Sequence, residues 1–379
     1  MNFRAEVQLV AVLTAAAASV PGVFLVLRRM SLVADAVSHA VLPGLVLAFF
    51  ATGSLTSPFL LAAAALTGLS AVALIEALRS TGLVREDAAI GLVFPAAFSA
   101  GVVLIARYAS GVHLDTDSVL LGELALAPFD RLVLGGYDLG PKAAWSMGAI
   151  LFLDLGFVGL LYKELKLSTI DPEQAAMLGF PPTALHYALM AAVSVTAVGA
   201  FHAVGSILVV ALMIAPPAAA TLLAETLGGV LAVSLGIGSA SALAGYWLAR
   251  WLDVSIAGSM AVCSGLAFAA AFVGAPRSGL VVRLVRRRRL RIEFATTMLL
   301  VHLLHHEDTA REEEESAVST LERHLHWPPS LVKEVLRRAG RVQLVTIDRG
   351  RARLTAAGRL RARRALMEPS KGTGPAPRA

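Results

Sequence analysis

The chain has 379 residues, 56% of them hydrophobic and only 16% charged, with a mean hydropathy of +0.71. Soluble domains carry roughly 45–50% apolar and about 25% charged residues, so a soluble globular enzyme is excluded for most of the length. Charge divides the chain: residues 1–275 sum to −5 and residues 276–379 to +11, within a total of +6. An apolar, nearly neutral body therefore carries a short, strongly basic C-terminal region. The single cysteine, Cys263, sits in an apolar run and allows neither an intrachain disulfide nor a thiolate zinc site.

About 20 apolar residues cross a bilayer. Runs of that size occur at 7–27, 33–51, 57–78, 88–107, 143–162, 184–201, 205–224, 227–249 and 254–274. They predict an all-α polytopic membrane protein of eight or nine spans over 1–276, the lower count arising if one segment is re-entrant. The first run is too long for a cleaved leader, and Arg28-Arg29 follows it rather than preceding it. Basic residues mark the cytoplasmic side. Arg28/Arg29, Arg79/Arg85, Lys163/Lys166 and the arginines of 283–291 share one side of a nine-span threading. That threading places the N-terminus outside and the C-terminus in the cytoplasm. Arg107, Arg131 and Lys142 are exceptions on the outer side.

In the second run, Asp35 and His39 are four residues apart, which stacks a carboxylate and an imidazole on one helical face. Ionisable groups inside spans are costly and mark ion or substrate paths. An oxygen and an imidazole nitrogen together suit a divalent transition metal. Ser38 offers a further oxygen, and Pro43-Gly44 is placed to open the helix just beyond. A helix-start Asp with an interfacial His is the plainer reading of the same pair. Further along, His113, Asp115 and Asp117 alternate in an outer loop, where they can funnel cations or simply meet water. Asp154 falls inside the fifth run. Between the fifth and sixth runs, Asp171 is a predicted N-cap, Pro172 the first helical residue, Glu173 a first-turn acid and Gly179 the stop. This two-turn cytoplasmic helix, with Ala175 inside it, is shaped to dock on a soluble partner. His202 stands just before Val204-Gly205, and Pro216-Pro217 is expected to kink the seventh run.

Five elements occur in order: 22–32 (Gly-Val-Phe-Leu-Val-Leu-Arg-Arg-Met-Ser-Leu), Asp35-x3-His39-x3-Pro43-Gly44, Glu86-Asp87-Ala88-Ala89-Ile90-Gly91, the 171–179 helix, and the Val204-Gly205 to Ala220 segment. Together they resemble the membrane permease of manganese/zinc/iron-type ABC importers. The resemblance implies a permease dimer, as a homodimer or with a paired second permease, in the cytoplasmic (inner) membrane. It implies a periplasmic or lipid-anchored metal-binding protein that delivers the ion, and a separate ATP-binding cassette ATPase docked on 171–179. It further implies that Asp35 and His39 contact the passing ion, with no permanently bound cofactor. His202 is outside the family pattern. The chain contains no Gly-x4-Gly-Lys-[Ser/Thr] phosphate loop, so it is expected not to be an enzyme itself, ATP hydrolysis falling to the partner.

Residues 277–291 are expected to be a basic juxtamembrane linker, 292–367 a small α+β winged-helix-like cytoplasmic domain, and 368–379 a disordered tail. In the domain, helices are predicted over 294–306, 312–324 and 330–339, a hairpin over 340–355 around Asp348-Arg349-Gly350, and a last helix over 356–367. The segment Leu354-Thr355-Ala356-Ala357-Gly358-Arg359 looks like the wing-to-helix junction of iron-dependent repressor-family DNA-binding domains. Lys333, Arg337, Arg338, Arg349, Arg351 and Arg353 form a predicted basic face that suits nucleic acid, anionic lipid or the ATPase. His302, His305 and His306 with Glu307 form a cluster that a metal can use. Three functions are compatible with these observations: an ATP-driven metal-import permease, an ion-coupled secondary metal carrier, and a membrane-tethered metal-responsive transcriptional regulator.

Overall fold

The structure, a computed structural model, describes residues 3–53, 58–108, 124–134 and 137–367. The chain forms two compact units, Met1–Gly279 and Leu280–Ala379. Among the described residues, nine helices are long and apolar enough to cross a membrane.

The first unit is built around α1 (Phe3–Leu27), whose apolar window is 78% buried, the largest share of any span. Its small residues Ala11, Ala15, Ala17 and Ala18 are fully buried, which lets neighbouring helices approach closely. The second span is divided at Val41 into α2 (Ser31–Ala40) and α3 (Leu42–Thr52). Pro43 occupies the first turn of α3, a position where its missing donor costs nothing. The expected opening near Pro43-Gly44 is therefore a junction between two helical halves. The third and fourth spans are α4 (Pro58–Ser80) and α5 (Glu86–Tyr108). A short antiparallel hairpin, β1 (Arg131–Leu134) and β2 (Tyr137–Pro141), precedes α6 (Lys142–Leu160). Then come α7 (Tyr162–Ile170) and the six-residue α8 (Pro172–Met177).

The last four spans are α9 (Pro182–Val204), α10 (Ser206–Leu223), α11 (Leu227–Leu252) and α12 (Ile256–Gly274). Gly205 alone separates α9 from α10, at φ 79° and ψ 162°, a conformation essentially closed to residues with a side chain. Helix α10 runs as a single helix through Pro216 and Pro217, the pair expected to kink it. Pro217 removes the donor that the Met213 carbonyl would otherwise receive. Gly22 of α1 lies against that carbonyl: a methyl group added there would sit 2.1 Å from the Met213 oxygen.

Of the stretch expected as a basic linker, 277–291, the first three residues form a turn and the rest is helical, part of α13 (Leu280–His306) of the second unit. The predicted helix over 312–324 is instead two single turns, α14 (Glu312–Glu315) and α15 (Leu321–His324). The backbone between them is captured by the hairpin: Ala352 N donates to Ser316 O (2.8 Å) and Val318 N to Gly350 O (3.0 Å), an extended pairing that a continuous helix cannot make. Helix α16 (Pro329–Arg341), strands β3 (Val345–Asp348) and β4 (Arg351–Leu354), and α17 (Ala356–Met367) complete the unit. Arg349 and Gly350 both have positive φ, as a two-residue turn between paired Asp348 and Arg351 requires. Leu299, Leu300, Val335, Leu336, Val345 and Leu354 supply a separate apolar core.

Candidate metal pathway and its polar surroundings

Helix α2, which carries the Asp35/His39 pair, packs against α4, α5, α9 and α10. At 1.5 Å per residue, Asp35 lies about 6 Å and His39 about 12 Å along the axis from Ser31. Both fall in the first half of Ser31–Thr52, a stretch long and apolar enough to cross a membrane. His39 Nε2 stands 3.5 Å from Asp35 Oδ1. That distance is too long for a strong hydrogen bond. It is close to the roughly 3.0–3.4 Å between two donors that share an ion at about 2.1 Å. The His39 ring is flanked by Phe94 (5.9 Å) and, edge-on, by Phe98 (6.0 Å) of α5, which fix its plane. The Asp35 side chain is 47% exposed and that of His39 25%. Ionisable groups inside spans are costly against hydrocarbon and usually face the bundle interior or a water-filled cavity. Gly44 lets α3 press on α4: a methyl there would lie 2.0 Å from Thr67 Oγ1 and 2.7 Å from the Ala63 carbonyl.

The other sequence-predicted residues fall in different places. Ser38 is buried, and its hydroxyl donates to the Ala34 carbonyl of its own helix (2.8 Å). His113 and Asp115 lie outside the described residues, with Asp117, and the side chain of His202, in the last turn of α9, does too. Asp154 is fully buried and accepts a hydrogen bond from Thr196 Oγ1 (2.7 Å), while its second oxygen has no hydrogen-bond partner. This acid belongs to the contact between α6 and α9.

The two ends of α1 carry opposite arrangements. At one end Arg28 Nε and Nη2 donate to Thr169 Oγ1 (3.1 Å) and Ser168 Oγ (3.0 Å). Burial pushes the Arg28 guanidinium below its usual range. A cleft of about 410 Å³ opens beside it, lined by Glu76, Arg79, Pro172 and His186 among others. Here Asp171 caps α8, accepting from Gln174 N (2.9 Å), and Pro172 is its first residue. Gly179 ends it at φ 85°, with Phe180 N returning to Ala175 O (3.1 Å). Ala175 seats the helix, whereas Glu173, Met177 and Leu178 are exposed, so apolar groups face outward from a capped helix.

At the other end, buried Glu6 receives a two-point contact from Arg131, at 3.0 and 3.3 Å, and Arg131 also reaches Asp138 (2.5 Å). These bonds, Glu6 first, hold the Arg131 guanidinium above its ordinary range. The Gly140 N–H and then Arg131 hold Asp138 below the usual carboxylate range. Lys142 pairs with Asp130 at 2.7 Å. Two of the three basic exceptions to the charge rule are therefore neutralised locally. Sequence reading missed the Glu6 and Arg28 ties, although an acid inside an apolar first span was a visible signal.

In the second unit, Lys333, Arg337, Arg349 and Arg353 are exposed and Arg338 half-buried. Arg351 is engaged by Glu313 at 2.6 Å, so the acidic run removes one charge from the expected basic face. Glu307 pairs with Arg359 (2.7 Å) rather than with the histidines.

A profile of the ABC 3 transport family matches residues 1–275. The chain belongs to the ABC 3 transport family. It is 44% identical over 353 residues to the zinc transport system membrane protein TroD of Treponema pallidum, covering 93% of this chain and 96% of TroD. It is 42% identical over 295 residues to the manganese transport system membrane protein MntD of Bacillus subtilis, covering 78% of this chain and all of MntD. The TroD match, at 353 residues, extends into the second unit. Among solved structures, PsaBC from Streptococcus pneumoniae in complex with Fab superposes with a TM-score of 0.62 at 27% identity, covering 73% of this chain and 94% of that one. The nine helices and this membership make the chain a multi-pass membrane permease.

Proposed function

We propose that the chain is the permease subunit of an ATP-driven importer that moves a divalent transition metal ion, manganese, zinc or iron, across the cytoplasmic membrane. The observation that carries this reading is the Asp35/His39 pair: two donors of the right hardness, at ligand spacing, open to one side within a membrane span. The names of the 42–44% identical relatives agree with it. The ion is cargo, held weakly by few groups so that it can leave, and no resident cofactor is invoked.

The remaining assignments follow the chemistry of each surface. The Arg28 end, with the capped α8 and its exposed Met177 and Leu178, is the cytoplasmic side where an ATP-binding cassette ATPase docks; Asp171, Pro172, Glu173, Ala175 and Gly179 build that coupling helix. The Glu6–Arg131 end is the outer side, where a metal-binding protein delivers the ion. The N-terminus is then outside and the second unit in the cytoplasm. The open side of Asp35 faces a second permease subunit, identical or paired. The element order of the second unit supports a winged-helix-like module with a regulatory or partner-contact role, its basic face meeting the ATPase or anionic lipid rather than nucleic acid.

Uptake into proteoliposomes tests the core of this. With the ATPase subunit and ATP, radioactive Mn²⁺ or Zn²⁺ should accumulate; without them it should not. Accumulation driven by an ion gradient alone would favour a secondary carrier. Asp35→Ala and His39→Ala should each abolish accumulation while leaving the ATPase attached.

A further inference from the structure

The second unit brings together three side chains that no part of the transport reading uses. His302 lies on α13, Glu315 ends α14 and His324 ends α15, so the chain must fold back twice to join them. One ligand atom from each lies within 4.8 Å of the others. His302 Nε2 is 3.4 Å from Glu315 Oε2, and His324 Nδ1 is 2.5 Å from the same oxygen. All three side chains are 15–19% exposed, half-hidden yet reachable by an ion. His324 Nδ1 is buried, and despite that short approach it makes no hydrogen bond of usable geometry. A nitrogen so placed has lost its water and gained no satisfactory partner, at a cost typical of buried unpaired polar groups.

We propose that His302, Glu315 and His324 bind a first-row divalent cation of the kind that takes imidazole and carboxylate together. Two nitrogens and one carboxylate oxygen suit Zn²⁺, Fe²⁺ or Mn²⁺ and leave a position for water. Ca²⁺ and Mg²⁺, which prefer all-oxygen shells, are excluded. Donors sharing a tetrahedral ion stand roughly 3.3 Å apart. The His302–Glu315 distance already meets this, and His324 has to open by less than about 1 Å from its present place. The ligands bridge α13 to the strap whose Ser316 and Val318 backbone holds the Arg349-Gly350 hairpin. An occupied site therefore braces the hairpin that carries the basic face. All three ligands lie within the second unit.

The full-length chain carrying Asp35→Ala and His39→Ala is titrated in detergent with Co²⁺, a spectroscopic stand-in for the cation. One Co²⁺ per chain should bind with the visible ligand-field absorption of a four-coordinate nitrogen–oxygen site, and exchange of the Val318 and Ala352 amides should slow. His302→Ala and His324→Ala should lose the absorption. Glu315→Gln, which keeps shape, should weaken binding on the order of tenfold or more with unchanged metal-free melting, and His305→Ala should leave it intact. Absence of the absorption in the parent chain, or its survival in His324→Ala, would overturn the site. Unaltered amide exchange at full occupancy would overturn the brace.

Discussion

Asp35 and Asp154, both inside membrane spans, are held in opposite ways. Asp154 is sealed between α6 and α9, with Thr196 donating to one oxygen at 2.7 Å. Asp35 is 47% exposed and meets His39 at 3.5 Å, short of a good hydrogen bond. A buried acid that finds a neutral donor in the next helix serves helix association, as polar groups in spans commonly do. An acid left open beside an imidazole, with neither satisfied by the other, is arranged for a third party. Sequence alone marks both as intramembrane carboxylates; the difference lies in what surrounds them.

The largest expected effect separates the two directly. Asp35→Asn should lower metal uptake on the order of tenfold or more, as loss of a ligand or its support usually does, with normal folded yield. Asp154→Asn should keep uptake per folded molecule within a few-fold of the unaltered chain, and equal losses in both would erase the distinction. Next, Gly44→Val should shift α3 against α4 at Thr67 and the Ala63 carbonyl, costing about 1–3 kcal/mol in melting measurements and disturbing uptake with it. Helices α6 and α9 should stay packed, which site-directed cross-linking of Met147 with Gly199, a close neighbour pair, can check. Asp154→Ala leaves the Thr196 hydroxyl without its acceptor and should cost about 1 kcal/mol, the scale of interhelical hydrogen bonds in membranes, read as a small fall in melting temperature.

The smallest effect concerns pH at the β1–β2 hairpin. Asp138 is held below the ordinary carboxylate range, so its ionised form favours the folded hairpin. That contribution is fully present above about pH 4 and is lost as pH falls through the depressed value. Amide exchange at Gly140, whose N–H donates to Asp138, should quicken over that window, and Asp138→Asn should remove the dependence.

Spans, their order and the short capped helix after α7 were legible because hydrophobic length, Pro at a first turn and Gly at a stop are local signals. That Asp35 and His39 share one helical face was legible because their spacing matches the helical period. Asp154–Thr196, Glu6–Arg131 and Arg28–Ser168 were not, since each joins residues many positions apart by packing alone. The 312–324 segment was misread because its acidic, helix-forming residues satisfy local propensity, while pairing of Ser316 and Val318 with the hairpin overrides it. The histidine cluster failed for the same reason: neighbours in sequence suggested Glu307, and folding supplied Glu315 and His324 instead.

X-ray absorption at the metal edge addresses the central claim most closely. The permease would be loaded with Mn²⁺ in complex with its ATPase, with His324→Ala present to silence the second unit. The expected spectrum shows one imidazole nitrogen and oxygen donors around the ion, the imidazole signal vanishing in His39→Ala. A shell of oxygens alone, unchanged by His39→Ala, would contradict it.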